Sequence, residues 1–360
     1  MAEGFRKAGF DCVFANDFDR QAVETFKYNH PTTVTIQQDI RTLSASEILD
    51  ASGLRKGSID VLCGGPPCQG FSLAGPRVAD DPKNQLFLDF VRVAAELQPR
   101  VILFENVVGI TSMQGGDVVR AIKKKFESIG YSTAQRILNA ADFGVPQARP
   151  RFIMLGWPVG TTPLEFPEAT HSSLSQQGLF GGPGILPHLT VWDAIGDLPL
   201  IGPGEGDEEL PHSGAYLTDY QENRRGTRNP GKLYNHRAIN HSEKIQERYL
   251  AISEGSDNRD LPEHLRTKKI NVWKLDRSKP SRTVTCNHRT DLLHPFLPRG
   301  TTVREAARLQ SFDDDYRFFG NLTRKAAWVT QDDQVGNAVP PLLAYVLARR
   351  IRTHLNGNTP

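Results

Sequence analysis

The chain has 360 residues, of which 38% are hydrophobic and 23% charged, and its formal net charge is +2. These values are typical of a globular protein and exclude a largely disordered chain. No run of the sequence reaches the roughly 18 apolar residues that a membrane span needs, and the first ten residues lack the apolar core of a secretion signal. Four scattered cysteines are too few for a disulfide framework. We therefore expect a cytoplasmic protein with two domains and no membrane partner.

Charge is unevenly distributed along the chain. Residues 221–300 hold 17 Lys and Arg against 9 Asp and Glu, and Arg224, Arg225, Lys268 and Lys269 are examples of these cations. Residues 161–220 hold nine acids and no Lys or Arg. A basic stretch of this kind is what a phosphate-facing surface needs. A solvated face without a partner is the alternative, and charge alone does not decide between them.

The first 160 residues alternate between strand-like and helix-like patterns. Short apolar runs predict strands at 12–16, 34–36, 58–65, 101–106 and 151–156. Helical periodicity lies between them, at 20–30, 85–97 and 117–130. This alternation predicts an α/β fold, a doubly wound and mostly parallel sheet with helices on both faces. Ligands in such sheets bind at the carboxyl ends of the strands.

The composition of the sequence changes near residue 157. Residues 157–215 are rich in Gly, Pro, Ser and Thr, and helical periodicity returns at 241–252, 302–312 and 342–351. We therefore predict a catalytic domain from residues 1–160 plus 330–360, and a second, smaller domain from residues 161–329.

A cysteine follows the third predicted strand. Gly64 and Gly65 end that strand and let the backbone approach a neighbour closely, and Pro66 and Pro67 stiffen the turn that presents Cys68. A thiol at a strand's carboxyl end is well placed to be a nucleophile. A packed structural thiol is the alternative. A zinc or disulfide role is disfavoured, because no further ligands lie nearby in the sequence.

Five motifs make the interpretation specific. The chain resembles the DNA (cytosine-5)-methyltransferases in motifs that follow the family's order and span almost the whole chain: GGPPCQGFS from residue 64, ENV from 105, QARPR from 147, TVREAARLQSF from 302 and QVGNAV from 334. By this resemblance the second domain is a target-recognition domain, and the target cytosine is flipped out of the duplex.

The resemblance implies roles for four residues of the catalytic site. Cys68 is the thiolate that adds to carbon 6 of cytosine and so activates carbon 5. Glu105 contacts N3 and the exocyclic amine, and a partly buried, dry pocket would hold it protonated. Arg151 contacts O2, where negative charge develops, and Arg149 helps to position the nucleophile loop. The alternative for Glu105 is an exposed carboxylate at a strand end, and the alternatives for Arg149 and Arg151 are phosphate binders or surface charges.

The resemblance also implies S-adenosylmethionine as the methyl donor, with no metal. Asp17 is placed to bond the ribose hydroxyls and Phe18 to stack on adenine. The further donor contacts implied are Asp39, Ile40, Pro66, Leu86, Asn337 and Val339. The ordinary alternatives are core positions for Phe18 and Ile40, and loop caps for Asp17 and Asp39.

One family element is not found in the sequence. The family opens with an apolar strand and a Gly-rich turn, where the backbone meets the methionine end of the donor. The chain begins at Met1-Ala2-Glu3-Gly4-Phe5, which resembles the segment directly after that turn. We expect Met1 to be an internal methionine of a longer protein, and we expect weak donor binding if it is not.

The expected partner is duplex DNA, contacted through the basic stretch 221–300. We expect a monomer that acts in a restriction-modification system, beside an endonuclease for the same site. A related branch of the family methylates tRNA, but its Cys-Phe-Thr motif is not found, and the nucleophile loop has the DNA-type form Gln-Gly-Phe-Ser. A catalytically inactive DNA-binding protein, or one half of a split enzyme, is the third alternative.

Overall fold

A computed structural model describes residues 1–67, 82–173, 184–212, 214–269, 271–322 and 329–357. Its strands are β1 (Phe14–Asp17), β2 (Val34–Gln37), β3 (Val61–Gly64), β4 (Val101–Val107), β5 (Tyr131–Asn139), β6 (Pro150–Pro158), β7 (His171–Ser172), β8 (Leu186–Pro187), β9 (Gly206–Pro211), β10 (Lys232–Arg237), β11 (Trp273–Lys274) and β12 (Leu292–Leu293). Its α-helices are α1 (Ala2–Lys7), α2 (Arg20–Asn29), α3 (Ala45–Ser52), α4 (Pro82–Leu97), α5 (Asp117–Ser128), α6 (Val191–Ile195), α7 (Asp219–Arg224), α8 (Glu243–Ala251), α9 (His288–Asp291), α10 (Val303–Leu309), α11 (Gln331–Asn337) and α12 (Pro341–Leu355).

The strands of the first 160 residues form two groups. β1 pairs with β2 in parallel, and a separate four-stranded sheet has the order β3-β4-β6-β5. β3 and β4 are parallel, whereas β6 runs antiparallel to both β4 and β5. The sheet is therefore mixed rather than mostly parallel. The prediction missed β5, which connects to β6 through residues 140–149, including a 3-10 helix at Ala140–Phe143, so that the two neighbouring strands run in opposite directions.

The predicted strands and helices of this region are confirmed in type, with shifts of a few residues at their ends. α1 and α3 were not predicted. The start of α3 nevertheless carries a capping box. The Ser44 side chain accepts from the Glu47 backbone N–H, and the Glu47 side chain accepts from the Ser44 backbone N–H. The helix predicted at 117–130 ends earlier, at Ser128, and Gly130 follows in the left-handed conformation with φ 87°.

Helices cover both faces of the four-stranded sheet. Side chains alternate between the faces along β4, so that Leu103 packs with Leu343 of α12 on one face. Phe104 points to the other face, where it packs edge-on against Phe87 of α4 and Phe126 of α5. Each such side chain contributes about 1.5–3 kcal/mol of burial free energy. This layering is that of the predicted doubly wound fold.

A third apolar cluster holds residues 191–335 together. Its members include Val284 together with Val191 of α6, Leu233 of β10, Ala306 of α10 and Val335 of α11. α11 therefore contributes to this cluster, and Val339, just after α11, belongs to the core on the α12 face of the sheet. Among the helices of the described ranges, none is both long and apolar enough to cross a membrane.

Candidate active site

The turn after β3 lies directly against the end of β4. The Asn106 side-chain amide donates to the Pro66 carbonyl at 3.0 Å. A Cβ on Gly65 would stand 2.9 Å from the Glu105 Oε2 atom, so glycine is what lets the turn approach this carboxylate. The sequence predicted that Gly64 and Gly65 let the backbone approach a neighbour closely, and for Gly65 that neighbour is Glu105. Cys68 lies outside the described residues, and its role stays a prediction.

Glu105 and Arg151 form an ion pair at the carboxyl end of β4. The register of β4 and β6 places Arg151 opposite Val107, and its Nε atom is 3.0 Å from Glu105 Oε1. Both side chains are largely buried, with about a tenth of each exposed (11% and 12%). Burial raises the pKa of Glu105, against the opposing effect of Arg151 and Arg149. The raised pKa favours the protonated form that a proton donor needs.

Arg149 is completely buried and bonded to backbone carbonyls. Its guanidinium donates to Val284 at 2.7 Å, to Gly336 at 2.5 Å and to Ala338 at 3.0 Å. Burial lowers the pKa of Arg149 to about 9, but the acceptors around the guanidinium favour its charged form. In the described part of the chain, Arg149 therefore connects β6 to residue 284 and to the end of α11. The predicted contact with the nucleophile loop is not tested.

An extended segment at residues 281–284 pairs with the QARPR motif. The Ala148 N–H donates to the Ser281 carbonyl at 2.8 Å, and the Thr283 hydroxyl donates to the Ala148 carbonyl at 2.8 Å. The side chain of Gln147 is fully buried and its Oε1 accepts from the Val284 N–H at 2.8 Å. The sequence did not indicate this pairing, because more than 130 residues separate the two segments.

A cavity of about 400 Å³ opens beside the ends of β1 and α11. Asp17, Phe18 and Asn337, three of the predicted contacts of the methyl donor, line this cavity. Phe18 is 67% exposed, which excludes the core alternative. Asp17 also caps the following turn, because its Oδ1 accepts from the Asp19 N–H at 2.9 Å. These three residues are brought together, although a ligand contact for each stays a prediction.

The other predicted donor contacts do not line this cavity. Asp39 is held by Arg41, whose Nε is 3.0 Å from its Oδ1, and Ile40 packs against the cluster of α3 and α4. Val339 is 5% exposed, within the core formed with α12. Leu86 is half-buried on α4, and Pro66 accepts the Asn106 bond described above.

Several cavity residues carry no sequence motif that we recognised. The further lining residues are Met1, Ala2, Glu3, Ala22, Thr25, Phe26, His30, Phe312, Tyr316, Phe318, Val329, Asp333, Gln334 and Ala338. Val329 is fixed by Asp19, whose carboxylate also caps the start of α2. An acid at a helix start was the available signal for Asp19, but it did not indicate the contact with residue 329.

The basic stretch 221–300 is used partly inside the protein. Arg224 pairs with Asp313, and Arg225 with Asp197. A set of further cations of the stretch is also held in ion pairs or by carbonyls: Arg228, Lys232, Lys269, Lys274, Arg277, Lys279, Arg289 and Arg299. Arg224, Arg289 and Arg299 are buried and do not face a phosphate, whereas Lys232, Lys269, Arg277 and Lys279 are 43–71% exposed, and contact of the stretch with DNA stays a prediction. Arg237, Lys244, Lys268 and Arg282 are also exposed, and no ion pair is described for any of them.

Comparison with known proteins agrees with this geometry. The chain matches the C-5 cytosine-specific DNA methylase family over residues 1–353. It is 35% identical to the Type II methyltransferase M.DdeI of Desulfomicrobium norvegicum, over 98% of this chain and 85% of that protein. It is 37% identical to the Type II methyltransferase M1.HphI of Haemophilus parahaemolyticus, over 97% and 82%. A crystal structure of a DNA modification methyltransferase encoded within an E. coli prophage superposes with a TM-score of 0.76, at 27% identity over 99% and 96%.

The layered α/β sheet, with an acid and an arginine at its carboxyl edge beside an open cavity, defines a group-transfer enzyme of the methyltransferase class. The chain belongs to the C-5 cytosine-specific DNA methylase family, and it is a DNA (cytosine-5)-methyltransferase.

Proposed function

We propose that the enzyme takes its methyl group from S-adenosylmethionine and transfers it to carbon 5 of a flipped cytosine, with Cys68, Glu105 and Arg151 as the groups that act on the base. We further propose that residues 161–329 form the target-recognition domain, and that residues 1–160 and 330–360 form the catalytic domain. The observation that carries the proposal is the juxtaposition of Glu105 and Arg151, 3.0 Å apart, at the turn that leads to Cys68.

The chemistry of the cavity suits this donor. Three carboxylate residues line it, Glu3, Asp17 and Asp333, and the lining residues in the described part of the chain include no Lys or Arg. Glu3 is paired with Arg6 and Arg228, so the negative charge that the cavity offers a ligand comes from Asp17 and Asp333. His30 adds no positive charge, because burial lowers its pKa to about 3. Such a cavity favours a cation over a nucleotide phosphate, and S-adenosylmethionine carries positive charge on its sulfonium and ammonium groups. The volume of about 400 Å³ lies within the usual range for ligand sites.

Residues of the chain would hold the donor by its nucleoside end. The carboxylate of Asp17 would accept from the ribose hydroxyls, and the exposed ring of Phe18 would stack on the adenine. Asn337 would bond the donor from α11, across the cavity. When bound, the donor supplies an electrophilic methyl group.

The remaining steps belong to the protein's own side chains. The Cys68 thiolate would add to carbon 6 of cytosine, which breaks the C5–C6 double bond and develops negative charge at N3 and O2. Protonated Glu105 would donate to N3, and the Arg151 guanidinium would then be free to bond O2. After carbon 5 takes the methyl group, a base or water would remove the carbon-5 proton, and the C6–S bond would break to restore the double bond and release Cys68. The present ion pair between them keeps both groups neutralised and aligned in the absence of the base.

Arg282 is the cation best placed to hold DNA next to this site. It is exposed, its guanidinium lies 4.0 Å from the centre of the Trp273 ring, and its neighbours Ser281 and Thr283 pair with the QARPR motif. Stacking on Trp273 restricts the Arg282 side chain and so lowers the entropy lost on binding a phosphate.

The test is a transfer assay with labelled S-adenosylmethionine and either duplex DNA or tRNA. We expect transfer to DNA, no transfer by Cys68→Ser, and similar DNA binding by both forms. Cys12→Ser is the matched control, because Cys12 is a free thiol just before β1 and is not among the described lining residues of the cavity. Transfer by Cys68→Ser at the wild-type rate would refute the assignment of the nucleophile, and transfer to tRNA alone would refute the substrate.

The same assay addresses the restriction-modification role. The similarity to Type II methyltransferases supports this role for the chain. On pools of random duplexes, we expect methylation within one short sequence, which a partner endonuclease would share. Methylation without sequence preference would contradict this part of the proposal.

A further inference from the structure

A loop of the basic stretch lies against the wall of the donor cavity. Glu3 lines the cavity and is 3% exposed. The Arg228 guanidinium forms an ion pair with its Oε2 atom, and Arg6 holds the other oxygen at 2.8 Å. Arg228 follows α7, and 225 residues of the chain separate it from Glu3. The cavity wall is thus held partly by a residue from the other half of the molecule.

The loop around Arg228 is fixed by a second carboxylate. Asp315 accepts from the Arg228 backbone N–H at 2.6 Å, from the Asn229 N–H at 3.2 Å and from the Arg228 guanidinium at 3.2 Å. Gly226 has φ 78°, and a Cβ there would stand 2.2 Å from the Asp315 carboxyl carbon. The loop is therefore wrapped closely around Asp315, and the Arg228 side chain has little freedom to take another position.

Arg228 also contacts the aromatic wall of the cavity. Its guanidinium lies 5.7 Å from the centre of the Tyr316 ring, and Tyr316 lines the cavity next to Glu3. One guanidinium thus contacts Glu3, Asp315 and Tyr316 together. An arginine suits this arrangement, because its planar group donates in several directions and stacks on a ring at the same time.

Arg6 also pairs with Glu3, but of the cations in the described ranges only Arg228 has ion pairs with both Glu3 and Asp315. His30 lies 3.9 Å from Glu3 Oε2, but burial lowers the pKa of His30 to about 3 and it stays neutral. Lys7 is paired with Asp313. Loss of the Arg228 contacts would leave the buried carboxylates of Glu3 and Asp315 without one of their partners, and both side chains would move toward water.

We propose that Arg228 is a positioning residue for the methyl donor, which holds Glu3 and Tyr316 in the shape that the donor needs. This inference rests on the proposed function, because it takes the cavity to be the site of S-adenosylmethionine. It also assigns an inward role to a cation of the basic stretch, which the sequence alone placed on the DNA-facing side.

The charge-preserving variant Arg228→Lys tests the proposal. A lysine keeps the positive charge, but its ammonium is a compact point charge and lacks the planar, forked donors by which the guanidinium contacts Glu3, Asp315 and Tyr316 together. We expect the Kd for S-adenosylmethionine, measured by isothermal titration, to rise about tenfold, the equivalent of about 1.4 kcal/mol. We expect the KM for the donor to rise equally while kcat and the affinity for duplex DNA stay within about twofold, since each contact serves donor binding alone.

Arg225→Lys is the matched control. Arg225 lies in the same loop with similar exposure, 22% against 19% for Arg228, and it pairs with Asp197 and His212 rather than with cavity residues. We expect its donor Kd to stay within about twofold of wild type, since the two substitutions differ only in their contacts. Equal effects of the two variants, or an unchanged Kd in Arg228→Lys, would overturn the proposal.

Two further measurements keep the outcomes distinct. If Arg228→Lys does not fold, Glu3→Gln replaces it, and an unchanged donor Kd in Glu3→Gln then overturns the proposal. If both fold, the effects of Arg228→Lys and Glu3→Gln should be less than additive, because both break the same contact. A wild-type protein that methylates DNA with a different donor would refute the proposed cofactor, not the contact network.

Discussion

Replacement of Arg149 by methionine is the sharpest test of how the catalytic edge is held together. Methionine keeps the length and apolar volume of the side chain but removes all of its donors. The buried carbonyls of Val284 and Gly336, and the part-buried carbonyl of Ala338, would lose their hydrogen bonds. The three bonds come from one side chain that is 0% exposed, so water does not replace them without opening the structure.

The magnitude follows from the number of acceptors. Each buried acceptor left without a donor costs about 1–3 kcal/mol. Part of this cost is offset, because the buried charge of Arg149 and its own desolvation disappear as well. We expect a net loss of about 3–5 kcal/mol in the free energy of unfolding. This is a large fraction of the roughly 5–15 kcal/mol by which domains are stable.

Urea unfolding at constant pH measures this loss. We expect the midpoint to fall while the slope of free energy against urea stays unchanged. Arg136→Met is the control, because Arg136 is exposed on β5 and its guanidinium lies 5.4 Å from the centre of the Phe166 ring. The loss for this variant should stay below about 1 kcal/mol. An equally small loss for Arg149→Met would show that the three carbonyls do not depend on it, and would refute this reasoning.

Three further predictions concern the reaction itself. Gly65→Ala should lower kcat about tenfold or more by displacing the Glu105 carboxylate. Gly109→Ala, where a Cβ would meet nothing within 4 Å, should leave kcat unchanged. Equal kcat values for the two variants would contradict the close approach of Gly65 to Glu105. Burial raises the pKa of Glu105 and the protonated form is the donor, so kcat/KM should fall as pH rises through that pKa. Glu105→Gln should remove this pH dependence and lower the activity about 10²–10⁴-fold. If the fall with pH persists in Glu105→Gln, the titrating group is another residue. Arg282→Ala should weaken DNA binding and reduce the slope of log K against log salt by about one. Arg55→Ala, at the opposite end of β3, should leave that slope unchanged. An unchanged slope in both variants would show that Arg282 does not contact DNA.

The sequence by itself predicted much of the local structure and the identity of the reacting groups. The apolar run 101–106 predicted β4, and the motif after it marked Glu105 as the residue at its carboxyl end. This succeeded because a buried strand is an uninterrupted apolar run, and because the end of such a strand is where polar groups appear. Periodicity also predicted α2 and α5, since their apolar faces repeat at the helical spacing.

Only the tertiary structure decided which charges meet. Glu105 and Arg151 are neighbours because β6 runs antiparallel to β4, and the missed strand β5 is what gives β6 that direction. Arg228 lies in the stretch that charge counting assigned to DNA, yet it pairs with Glu3 at the start of the chain. A count of charges records how many cations a segment holds, whereas the energy of each depends on distance and burial. Those two quantities are fixed by contacts between residues far apart in the chain, and so they emerge only when it folds.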